Sequence, residues 1–278
     1  MKYLLFLLTI WVTNATAQNG LKFEKRFVQS EDAWVAFPVD STGAFPFGFI
    51  YIDAEAGLTL DYGGTFKIDK NGKFLKEKVE EEHSIKYRLQ PNNVLVALIP
   101  ETNFGDLNIQ AVPEWLKFYK KDQGSVEHLY RRGFLYNGYG ECEKALEYLE
   151  KANKLNPNFK GLAVELAYSY NCLARYESAI KILQTALKTT PEDAYTNKEL
   201  IFAQAKLEKL EDAANIFRKT SKFPDKTYNA ENAYNILQGY YLLKDKKNFS
   251  KWWEETKDYI SSNQQFLTNA EFMKKDLL

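Results

Sequence analysis

"YGECEKALEYLEKANKLNP" (139–157) and "LARYESAIKILQTALKTTP" (173–191) lie 34 residues apart and end on proline at the same phase, at Pro157 and Pro191. Ala145 and Ala179, Leu149 and Leu183, and Ala152 and Ala186 fall at matching offsets within them. One physical unit is therefore written twice. Apolar residues recur at i, i+3, i+4 and i+7, the period of an amphipathic helix. Each proline stops its helix, because a ring without an N–H cannot continue the hydrogen-bond ladder. A chain made of such units is suited to holding something rather than converting it.

With Val126 and Lys160 as first positions, Gly133 and Ala167 stand eighth and Tyr136 and Tyr170 eleventh. Small residues at positions 8 and 20 let two antiparallel helices approach closely, and the tyrosines and leucines fill the space beside them. A third unit from Ala194 keeps Leu200, Ala213 and Phe217 but has Ile201 eighth and Gln204 eleventh, and its proline, Pro224, comes one residue early. A fourth, near 228–262, keeps the helix-turn-helix texture in a shifted phase with tryptophan where alanine belongs, and a capping helix follows. This pattern resembles the tetratricopeptide repeat, whose signature has this period and these positions.

The resemblance implies a helical solenoid whose first helices line a concave face. Positions 2, 5, 9, 12 and 13 would point inward: Glu127, Tyr130, Phe134, Asn137 and Gly138; then Gly161, Val164, Tyr168, Asn171 and Cys172; then Tyr195, Lys198, Phe202, Ala205 and Lys206. Aromatic rings offer stacking area at low rotamer cost, and the amides of Asn137 and Asn171 can pair with an extended backbone. Tyr130, Phe134, Asn137, Tyr168, Asn171, Tyr195, Lys198 and Phe202 are thus the expected contacts for a protein or peptide partner. The family's carboxylate clamp is not carried over, since Tyr130 and Phe134 occupy its lysine and asparagine positions. On the repeat phase Cys142 begins the second helix of unit one and Cys172 ends the first helix of unit two, which leaves a bridge or two buried thiols.

The texture from 18 to 112 is that of an antiparallel β domain. "WVAFPVD" (34–40), "FGFIYIDA" (47–54), "GLTLDY" (57–62), "TFKID" (65–69), "SIKYRLQ" (84–90) and "VLVALIP" (94–100) are short runs rich in β-branched and aromatic residues, bounded by turn formers. "IDKNGKF" predicts a hairpin through Asn71-Gly72. "PEWLKFYKK", inside 113–125, predicts a connecting helix or linker, and repeats fill 126–278. The fold class expected is α+β in two domains.

Lys2, the apolar run Tyr3–Val12 and Ala15-Thr16-Ala17 form the pattern of a signal peptide over 1–17, cleaved before Gln18. The run is too short for a transmembrane anchor, so a secreted or periplasmic location is expected. Such a chain also looks like secreted bacterial proteins of this make-up, a likeness that adds no activity. Lys+Arg and Asp+Glu both number 37 in the 278 residues, which leaves no net charge to drive nucleic-acid binding. Two cysteines and two histidines make no four-ligand metal set, and no catalytic motif of the serine-hydrolase, P-loop or zincin type occurs. No cofactor is expected, and a non-catalytic binding scaffold is the first reading. The alternatives are an enzyme acting on an extracellular polymer through Asp53, Glu55, Asp61 and Asp69, and a helical half that only braces the β domain.

Overall fold

The computed structural model describes residues 20–53, 55–77 and 85–278. The signal-peptide pattern, His83 and most of the acidic run 76–82 lie outside the described residues. The chain forms two units, divided between Lys121 and Asp122.

The first unit is an antiparallel sheet of β1 (Lys25–Arg26), β2 (Ala33–Ala36), β3 (Phe45–Asp53), β4 (Gly57–Ile68), β5 (Phe74–Lys76), β6 (Ile85–Arg88) and β7 (Leu95–Leu98), in the order β1-β7-β2-β3-β4-β5 with β6 also paired to β4. Side chains alternate between faces along a strand, so Phe45, Phe47, Phe49 and Tyr51 of β3 point into one core with Trp34, Phe66 and Phe74. The rings interlock: Phe66 stacks on Phe74 at 4.5 Å, and Trp34 meets Phe49 edge-on at 5.3 Å.

Two expectations are corrected. "GLTLDY" and "TFKID" are one strand, not two: Gly63-Gly64 reads as a break, but the register slips there against Phe47 and Gly48 and the strand continues through the bulge. A Cβ on Gly63 would strike the Phe47 ring, so glycine is what lets the bulge lie beneath it. The segment expected to be a connecting helix or linker is instead a short 3₁₀ turn, Glu114–Phe118, that belongs to the β unit and closes it. Trp115 packs edge-on against Phe49 and Tyr51, at 5.8 and 5.0 Å, and Tyr119 lies 4.7 Å from Tyr51. Just before it, helix α1 (Phe104–Leu107) buries Leu107 in the same core, and the Trp34 indole N–H donates to the Gln110 carbonyl at 2.8 Å. The hairpin at Asn71-Gly72 forms as expected, with Asp69 Oδ1 accepting from the N–H groups of Asn71 and Lys73 and Gly72 at φ +83°.

The second unit consists of helix pairs: α2 (Val126–Gly138) with α3 (Cys142–Leu155), α4 (Leu162–Cys172) with α5 (Tyr176–Ala186), α6 (Ala194–Lys206) with α7 (Leu210–Thr220), and α8 (Asn229–Leu242) with α9 (Lys246–Ile260); α10 (Gln264–Leu277) packs on α8 and α9. Each pair turns through one left-handed residue: Gly140, Ala174, Glu208 and Lys244, at φ +73°, +56°, +61° and +56°. The next N–H then reaches back to the first helix, from Glu141 to Tyr136 O, Arg175 to Tyr170 O, Lys209 to Gln204 O and Asp245 to Tyr240 O, all at 2.8–3.0 Å. This is the Schellman arrangement that satisfies carbonyls left free at a helix end. The first three turns are 34 residues apart and the fourth comes 36 after the third, which is the phase shift seen in the sequence.

Small residues sit where helices meet. A Cβ on Gly133 would collide with Leu149, and Ala145, Ala167, Ala179 and Ala213 are fully buried. Between the third and fourth pairs, Gly239 of α8 closes on Leu210 of α7, while Trp252 of α9 fills the interior, donates to the Ala233 carbonyl at 2.9 Å and meets Phe217 edge-on at 5.4 Å.

An alanine held at positive φ stores about 1 kcal/mol. Ala174→Gly is therefore expected to raise stability by up to about 1 kcal/mol, seen as a higher urea midpoint at unchanged slope.

Candidate functional site

The first helices of the pairs lie side by side, α2 next to α4, α4 next to α6 and α6 next to α8. These helices carry the residues singled out from the sequence. Phe134 is 56% exposed. Tyr130 is half-buried, 5.1 Å from the Phe159 ring, and its hydroxyl rests on Gly161, which begins α4 at φ +83° where a Cβ would block it. Tyr168 is half-buried, Tyr195 pairs with Tyr228 at 5.8 Å, and Phe202 meets Tyr176 edge-on at 6.3 Å. Between α6 and α8 the face opens into a cavity of about 90 Å³ whose walls include Phe202, Lys206, Asn235, Leu242 and Leu243. The Lys206 ammonium stands 5.3 Å over the Phe202 ring.

Asn137 and Asn171 depart from expectation. Both are buried, at 3% and 5% exposure, and neither amide nitrogen is free for a peptide backbone. Asn137 Nδ2 donates to Glu165 O and Oε2, at 3.0 and 2.9 Å; Asn171 Nδ2 donates to Glu199 O and Oε2, at 3.1 and 2.7 Å. Each bond pair crosses from one first helix to the next, so these amides set helix register rather than meet a ligand. The signal was present in the sequence as an asparagine followed 28 residues later by a glutamate, twice, one repeat apart.

The two glutamates differ in their surroundings. Glu199 has Lys198 at 2.8 Å; that ammonium also reaches Glu231 at 3.2 Å and stands 5.6 and 5.9 Å from the rings of Tyr195 and Tyr228. Burial alone would lower the pKa of Lys198, but Glu199 and Glu231 outweigh it and raise the value. Glu165 is 4% exposed and its carboxylate accepts from Asn137, and no ion pair to it occurs among the described residues. Burial pushes its carboxyl up; the Asn137 bond opposes this and the charge of Glu199 adds to it. Burial, with the field of Glu165, also raises the phenols of Tyr130 and Tyr195.

Cys142 and Cys172 are joined in a disulfide, with Cα atoms 6.2 Å apart and Cys172 at the surface, which resolves the two states left open above. Tyr136 is a packing residue, stacked on Tyr148 at 5.5 Å. In the first unit, Asp53 Oδ1 accepts from the N–H groups of Glu55 and Ala56, so this carboxylate, like Asp69, serves a turn. No group of three or more metal-ligating side chains occurs among the described residues. One cluster went unforeseen: the Lys86 ammonium lies 4.8–5.5 Å from the rings of Tyr51, Trp115 and Tyr119 and donates to the Tyr119 hydroxyl at 2.8 Å, which lowers that phenol's pKa. Its members come from three distant segments, and no local pattern joins them.

A buried carboxyl whose pKa is raised on folding costs stability once ionised. That cost appears as pH climbs from the unfolded value, near 4.5, through the raised folded value, and persists above it. Glu165→Gln keeps an acceptor for Asn137 and removes the charge. It is expected to raise the thermal midpoint at pH 8 by about 2–4 °C, the shift for about 1 kcal/mol, with the difference vanishing at pH 4. Replacing both cysteines by serine is expected to cost about 3 kcal/mol in denaturant titrations.

The tetratricopeptide repeat family profile matches residues 138–197. A solved structure titled "MamA MSR-1 C2" is similar at 17% identity and a TM-score of 0.45, over 53% of this chain and 83% of that one. The curated proteins gave no match. The matched span runs from the end of α2 to the start of α6 and takes in the whole second helix pair with its turn at Ala174. The chain carries tetratricopeptide repeats over residues 138–197.

Proposed function

We propose that this protein is a non-catalytic scaffold of an exported compartment that binds an extended protein segment along the concave face of its first helices. Repeats of this family mediate protein–protein interaction in general. The observation that carries the reading further is the aromatic series Phe134, Tyr168, Tyr195 and Phe202, which the second unit leaves uncovered or half-covered on one face. Such rings lose only two torsions on binding, and helices pinned by buried polar bonds hold them in place beforehand, which lowers the cost of association. Export is supported by the signal-peptide pattern and by a disulfide with one cysteine at the surface, a bond that persists in oxidising compartments. Turn duty at Asp53 and Asp69 favours binding over hydrolysis.

The full chain and a Phe134→Ala/Tyr168→Ala variant are to be compared in pull-downs from cell-envelope extract. Partner recovery is expected to fall at least tenfold for the variant, and equal recovery would remove the concave face from the proposal.

A further inference from the structure

The scaffold reading above names a face but not the chemistry of its partner, and Glu165 supplies that chemistry. We infer that Glu165, on α4 with its carboxylate bonded to Asn137 of α2, is the receptor for a basic side chain, lysine or arginine, of the segment that this face binds.

The argument is an internal comparison. Glu165 and Glu199 occupy the same repeat position, 34 residues apart, and accept the same pair of bonds from the asparagine of the preceding first helix. At Glu199 the chain provides its own cation: Lys198, at 2.8 Å, with its ammonium near the rings of Tyr195 and Tyr228. At Glu165 the residue in the place of Lys198 is Val164, and no described cation pairs with the carboxylate. The third helix pair thus shows the occupied form of a site that the second helix pair leaves without a described cation.

The surroundings suit the missing group. Glu165 lies close enough to the hydroxyl-bearing rings of Tyr130 and Tyr195 to affect their ionisation. An aromatic face attracts an ammonium or guanidinium, and the apolar stem behind the charge packs on the same rings. A carboxylate out of water with no counter-ion is costly, and an arriving cation relieves that cost in a setting where the pair is weakly screened. Asn137 holds one oxygen of Glu165 in place, as Asn171 does for Glu199, so the acceptor is positioned before the ligand arrives. An acidic or neutral side chain gains none of this, which commits the occupant to a basic residue in an otherwise apolar or aromatic extended segment.

A display library of random octapeptides, panned on the full chain, tests the inference. Wild type is expected to enrich peptides with lysine or arginine at one fixed position, and glutamine there should weaken a selected synthetic peptide at least tenfold by fluorescence anisotropy. Glu165→Gln, which keeps the Asn137 bond, should lose that preference while the glutamine peptide binds as before. Val164→Lys, which rebuilds the arrangement at Lys198, should block the site from within and lose the preference too. Selected peptides with no basic position, or a preference that survives in Glu165→Gln, would overturn the receptor and leave the scaffold reading standing. Enrichment of no peptide at all would overturn both.

Discussion

Two helices can lie backbone against backbone only where a side chain is absent or ends at a methyl group. In the second unit that condition is met at Gly133 and at Ala145, Ala167, Ala179 and Ala213, and the rest of the unit follows from it. Close pairs leave little room for a turn, so each is closed by one left-handed residue and a bond back across it. Since the crossing and the turn recur together, successive pairs stack in the same way, and every first helix falls beside the last. The fourth pair keeps the turn and meets the third through Gly239 against Leu210, with Trp252 taking up the volume.

Stacking alone would leave neighbouring pairs free to slide, because apolar contact has little direction. The asparagine–glutamate bonds supply direction. Each joins a side-chain amide to both the main chain and the carboxylate of the next first helix, buried where a missed partner is expensive. At the following junction Ala205 stands in place of the asparagine, and it lies in an apolar cluster with Ala233 and Ile236. The asparagine key thus joins the first three first helices, and at the next junction the Lys198–Glu231 ion pair and apolar contact take its place.

The repeat was legible in the sequence because its period, prolines and alanines are local and countable, and the strands because their alternation is. What escaped was non-local. Gly63-Gly64 signals a break unless one knows that Phe47 lies across it. Trp115 and Tyr119 read as one helix face until Tyr51 is seen to meet them. Asn137 and Asn171 were assigned to the inner face from the repeat phase alone, which places a residue near that face without saying which neighbour has already claimed it.

The covalent tie between Cys142 and Cys172 gives the array a direction of failure. A stack of like units ordinarily frays from either end, each pair leaning only on its neighbours. Here the first two pairs are clipped across their junction, so one end is hemmed and the other is not. Unravelling under load would start at α10 and run back toward the clip, and the stretch around Glu165 would be among the last to come undone.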